Sequence, residues 1–352
     1  MALTIVSGLP PGLKTVSQSQ REQHKRYQKI PKEDEIVALG SLARESTNFI
    51  SDFGSQVQTA YSCFITANSR VNPIALQAFG TIACLNFPLG VIAAKEAHSE
   101  ALTHRKVNNF SAECTAWLKC VTGALQAAAG ALYLPAQALT IVLFYAASKA
   151  VVIAASVLGG ASMTLFGGAS LLFGISTSLD LHKEVSLRQD LNKILSQSNV
   201  QDKNHQALLF LKQRIETGGK LEMVRLTGSK SAEAILTADA TNAAEVVQLV
   251  LQENNKAIAL SATVAVLMLV GVALSGLSIA FSGGTAALVI ALLGAAVGLA
   301  WLGLDGYNFI KAAQEGEKGK YDRLWLLFTT LVCGLATGAT LCLTQGAALL
   351  FF

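Results

Sequence analysis

Apolar and polar positions in this chain are sorted into long blocks. Between Lys256 and Asp305 lie 48 residues without an Asp, Glu, Lys or Arg; 30 separate Lys149 from Asp180, 29 separate Lys119 from Lys149, and the last 29 residues after Arg323 are uncharged. A helix needs only about 20 apolar residues to cross a bilayer, and an apolar run of about 10 to 14 is what a soluble core helix supplies. The pattern predicts an all-α, polytopic helical membrane protein with two transmembrane helical hairpins and a small helical extramembrane module. In the first hairpin, 121–179, Lys149 is the sole charge. A turn there predicts helices over roughly 121–147 and 151–179. A turn at Gly159-Gly160 stays open if Lys149 snorkels out of a span. In the second, 257–280 and 286–304 are joined by Phe281-Ser282-Gly283-Gly284-Thr285, short enough to require an antiparallel pair.

The remaining blocks are polar or mixed. Residues 1–70 form a polar N-terminal arm, in which Ile36, Leu39, Phe49, Ile50, Phe53 and Val57 recur at loose helical spacing and predict one or two amphipathic helices suited to a membrane surface. Residues 71–94 are uncharged but carry Asn72, Pro73, Gln77, Asn86 and Pro88, so spanning and interfacial readings both fit. A polar loop is expected over 95–119. In 180–256, Leu181, Val185, Leu187, Leu191, Ile194 and Leu195 predict one amphipathic helix, and Leu208, Leu209, Leu211 and Ile215 a second that ends at Gly218-Gly219. Asn242 with Glu245 matches a capping box, opening a helix that continues past Lys256 into the apolar block. A polar loop follows at 305–323, and 324–352 is a C-terminal transmembrane or re-entrant segment.

Charge adds an orientation. The 27 basic residues against 23 acidic ones give a net +4, with no dense basic block of the kind nucleic acid requires. The basic residues fall in the polar segments, apart from Lys149, so the positive-inside rule places those segments on one face. The N-terminus has no basic region ahead of its apolar stretch, which Pro10 and Pro11 interrupt, so it is not a Sec-type signal. The six cysteines show no CxxC spacing and read as small buried hydrophobes.

The search for chemistry returns no catalytic, cofactor-binding or metal-ligating residue. No Walker loop, HExxH, GxSxG or CxxC motif is present. His98 and His104, six apart, cannot share a metal on one helix face and read, with Glu96 and Glu100, as a solvated loop. Acidic residues avoid the spans, and Lys119, Lys149 and Asp305 stand at span edges, which argues against coupled transport. Gly294 with Gly298, and Gly334 with Gly338, form GxxxG patterns, candidate helix-packing sites within one chain or between copies of a homo-oligomer.

The bilobed apolar block at 257–304, flanked by polar helical segments and preceded by an N-terminus rich in Ser, Thr and Gln, resembles the chlamydial inclusion membrane proteins. That resemblance implies type III secretion into a host vacuole membrane, with cytosol-facing segments that dock partners. This chain departs from the family pattern in its additional apolar runs and uncharged C-terminal tail. The expected function is a non-enzymatic membrane interaction or scaffold protein, embedded in the lipid bilayer, whose protein partner binds through 1–70 and 180–256. The alternatives are a passive channel or uncoupled transporter and, less favoured, a membrane-embedded enzyme with a lipid substrate.

Overall fold

The computed structural model describes residues 40–53, 84–143, 148–197, 202–280, 284–315, 319 and 321–335. Among these, ten helices and no strand are found. In chain order they are α1 (residues 41–53), α2 (Asn86–Lys106), α3 (Phe110–Leu143), α4 (Lys149–Ser196), α5 (Lys203–Gly218), α6 (Lys220–Thr227), α7 (Ser229–Thr237), α8 (Ala243–Ala280), α9 (Gly284–Glu315) and α10 (residues 322–335).

Three of them, α3, α4 and the 243–274 part of α8, are long and apolar enough to cross a membrane. Their apolar surfaces are not consumed by internal packing: only 11% of the most apolar window of α4, and 11% of that of α8, is buried within the protein. Ile153, Val157 and Met163 on α4 and Val266 and Leu269 on α8 point outward. Such surface is costly against water and at ease against acyl chains.

α3 and α4 pack along each other, and α3 is described to Leu143 while α4 begins at Lys149, where the charge pattern predicts the second helix of the hairpin to start. Both continue beyond the uncharged stretch. α4 runs without interruption from Lys149 to Ser196, so the amphipathic helix expected over 181–195 is the outer end of a span-length helix. α8 likewise joins the polar start at Ala243 to the apolar block in one piece, as expected.

The expected loop at 95–119 is instead two helices. α2 carries Lys95 to Lys106, and the chain reverses through Val107, Asn108 and Asn109 into α3. Asn108 adopts φ 57°, a left-handed conformation that asparagine tolerates. The Asn109 side chain caps α3 by accepting from the Ala112 N–H at 3.2 Å.

The outer end of α4, α5, α6, α7 and the start of α8 close around one apolar core. Leu187, Leu191, Leu208, Leu211, Met223, Ile235, Val247 and Val250 fill it. Gly219 at φ 92° and Gly228 at φ 82° provide the two turns that fold α6 and α7 back onto α5 and α8. Asn242 does not form the expected capping box. Its Oδ1 accepts from the Asp239 N–H at 2.8 Å, and Asp239 Oδ1 in turn accepts from the Thr241 N–H at 2.9 Å, so the pair shapes the turn before α8.

Candidate functional site

The chemistry of the described residues gathers where the small helical module meets α2, α3 and the polar ends of α4 and α8. α2 supplies the hub. Glu96 and Glu100, one turn apart, face two different parts of the chain. Glu96 accepts from Arg44 of α1 at 2.5 Å, and Glu100 pairs with Arg225 of α6 and with His104 at 3.2 Å. Both histidines lie on α2 rather than in the loop the sequence suggests: His104 is only 1% exposed, while His98 is exposed and packs edge-on against Trp117 at 5.2 Å. Burial raises the Glu100 carboxyl pKa, but the His104 hydrogen bond and the charges of Arg225 and Lys119 outweigh it, holding it below the ordinary glutamate value.

A second layer lies toward the apolar helices. Lys119 of α3 pairs with Asp180 of α4, joining the charges that bound the first two uncharged stretches. Lys183 donates to Thr115 Oγ1 at 3.3 Å. On α8, Ser261 donates to Glu184 at 3.0 Å, while the fully buried Asn254 spans two backbones, donating to the carbonyls of Glu184 at 3.3 Å and Leu226 at 3.2 Å. Asn109 ties the α2–α3 turn to the module through the Gly218 carbonyl at 3.0 Å and Glu222 at 2.6 Å. Lys119 and Asp180 are therefore matched where α3 and α4 enter the apolar region, and lone charges there would be expensive.

This arrangement binds elements together. Among the described residues no group of three His, Cys, Asp or Glu side chains could hold a metal ion. Glu100, Lys119 and Asp180 are each paired with an opposite charge, whereas Glu184 is held by the Ser261 hydroxyl. No family model, curated protein or solved structure matches the chain.

The glycines predicted to pack helices are placed differently from one another. A Cβ built on Gly294 or Gly334 meets nothing within 4 Å, Gly298 is buried on α9, and Gly338 lies outside the described residues. Close packing by glycine occurs instead between α2 and α3. A Cβ on Gly90 would stand 2.5 Å from the Ala127 backbone nitrogen, one on Gly123 2.6 Å from that of Ala94, and one on Gly130 2.6 Å from that of Phe87. The signal for it was present in Gly90-x-x-x-Ala94 and Gly123-x-x-x-Ala127, the small-x-x-x-small spacing of closely approaching helices.

The N-terminal arm also enters the body of the protein. α1 sits among three helices: Arg44 reaches Glu96 on α2, Thr47 accepts from Trp325 Nε1 of α10 at 2.7 Å, Phe49 stacks on Phe309 of α9 with centroids 6.3 Å apart, and Ser51 accepts from Asn86 of α2 at 3.2 Å. Asn86 accepts in turn from Gln126 of α3 at 2.9 Å. The amphipathic helix expected in this region thus docks on protein over 41–53 rather than standing free for a partner; residues 1–39 and 54–70 of the arm lie outside the described residues.

Proposed function

We propose that this chain is a multi-pass membrane anchor, built on two transmembrane hairpins (α3–α4 and α8–α9), that presents one compact helical module to a single compartment for protein recruitment. The observation that carries the reading is the double use of α2. Through Glu96 and Glu100 it bridges α1 and the α4–α8 module, so segments far apart in sequence meet at one end of the apolar helices. Outward-facing apolar side chains on α3, α4 and α8 support contact with lipid, and the paired charges of the junction support a structural rather than a transporting role. On the sequence resemblance to the chlamydial inclusion membrane proteins, the compartment is the host cytosol and the membrane that of the vacuole, reached by type III secretion.

The channel alternative makes a direct contrast. Purified protein reconstituted into sealed liposomes is expected to leave them impermeant to small ions. Flux that scales with the amount of protein incorporated would contradict the anchor and favour a pore.

A further inference from the structure

α1 runs antiparallel along the outer end of α9. Ser41 donates to the Ala312 carbonyl at 3.4 Å, Phe49 stacks on Phe309, and the same ring lies 3.8 Å from a Cβ built on Gly306. Continuing that register brings Asp52 to Asp305, whose carboxyl groups are within hydrogen-bonding reach. Asp305 is 6% exposed, and its Oδ2 is buried without a hydrogen-bond partner. Two ionised carboxylates cannot bond to one another, because both only accept. Brought together away from water they repel, and one remedy is a proton held on one of them.

We propose that Asp52 and Asp305 form a proton-binding site, in which one shared proton clamps the N-terminal helix α1 onto α9 where that helix leaves its apolar stretch.

A proton fits the site better than a metal ion. A hard cation demands about six oxygen ligands or more, and no metal-competent cluster exists among the described residues. Besides the pair, α1 carries Arg44 and Glu45, α9 carries Lys311 and Glu315, α10 carries Asp322 and Arg323, and α2 carries Lys95, Glu96, Glu100, Arg105 and Lys106. Arg44 is engaged by Glu96, and Asp322 accepts from the backbone N–H groups of Gly40 at 2.7 Å and Gly319 at 2.6 Å. Glu45, two turns before Asp52, adds negative potential at Asp305 rather than relieving it. Burial and the neighbouring carboxyl therefore both raise the pKa of Asp305, and burial raises that of Asp52.

The direction of the pH effect follows. The docked state binds a proton that an undocked α1 releases in the ordinary aspartate range. Docking is therefore strongest in acid and weakens as pH rises from that range to the raised value of the pair.

The test is hydrogen exchange of the α1 amides in the full chain, held in lipid nanodiscs and corrected for the intrinsic pH dependence of exchange. Between about pH 5 and about pH 8, protection of 41–53 is expected to fall with a slope approaching tenfold per pH unit, the value for one proton. Asp305→Asn supplies a permanent N–H donor and is expected to keep α1 protected with no such slope. If that variant does not fold, Asp52→Asn serves the same purpose. The infrared carbonyl stretch of a protonated carboxyl, present in the parent and lost in either variant, gives an independent reading. Flat protection in the parent, a slope that survives in both variants, or protection at high pH restored by Ca²⁺ alone would each overturn the proposal.

Discussion

Glycines 90, 123 and 130 hold α2 against α3 at a distance that leaves no room for a methyl group. At Gly123 the added carbon would meet the Ala94 nitrogen at 2.6 Å and the Gly90 carbonyl oxygen at 2.8 Å, both backbone atoms that cannot swing aside. Gly123→Ala is therefore expected to cost about 1–3 kcal/mol through overpacking. Gly159→Ala, where nothing lies within 4 Å, is expected to be neutral or to gain up to about 1 kcal/mol from helix propensity. Thermal unfolding of the two variants in one detergent compares them directly; equal midpoints would mean that α2 and α3 do not approach so closely. Residue-scale packing was only partly legible. Small-residue spacing marks where a helix can be approached, as at Gly294 and at Gly123 alike, but it does not say what approaches. His104 illustrates the same limit: its polarity suggested solvent, and its burial depends on Glu100, Arg225 and the module that brings Arg225 there.

The unbroken helices α4 and α8 decide how the module is held. Nothing between Ser178 and Lys183 breaks a helix, so α4 changes from apolar all round to amphipathic without a joint, and the module core begins at Leu187 on the same rod. Leu181→Pro places a kink at the boundary, at a cost of about 3 kcal/mol or more. The expected outcome is a protein still retained in the membrane fraction, with α5–α7 cleaved faster by added protease. Unchanged resistance of the module would show that it does not depend on the continuity of α4. Element by element, the sequence was informative where periodicity was long. The start of α4 at Lys149, α5 with its end at Gly218-Gly219, and the passage of α8 across Lys256 all match their patterns. α6 and α7 were missed because, at 8 and 9 residues between Gly219 and Gly228 and beyond, each offers too few turns for a period to emerge. α2 does not emerge from the pattern because charges such as Glu96 and Glu100 suit solvent as well as the ion pairs they form across helices.

For the whole molecule, the long uncharged stretches and their flanking charges carry the proposed topology, with the polar segments on one side of a membrane and Lys149 on the other. α1, α2 and the module meet through ion pairs at one end of the apolar helices, while Lys149 is exposed at the start of α4. The apolar blocks announced helices long and apolar enough to cross a membrane, but the internal role of 41–53 could not be read from its spacing, since an amphipathic face fits a lipid surface and a protein groove equally well. The most direct measurement is the modification of single cysteines by a membrane-impermeant reagent in intact, sealed membranes, with the six native cysteines replaced. Cysteines introduced at Gln20, Lys220 and Glu315 should react from one face and one at Lys149 only from the opposite face. Labelling of position 220 from the face opposite position 20, or of position 149 from the same face as position 220, would contradict the account.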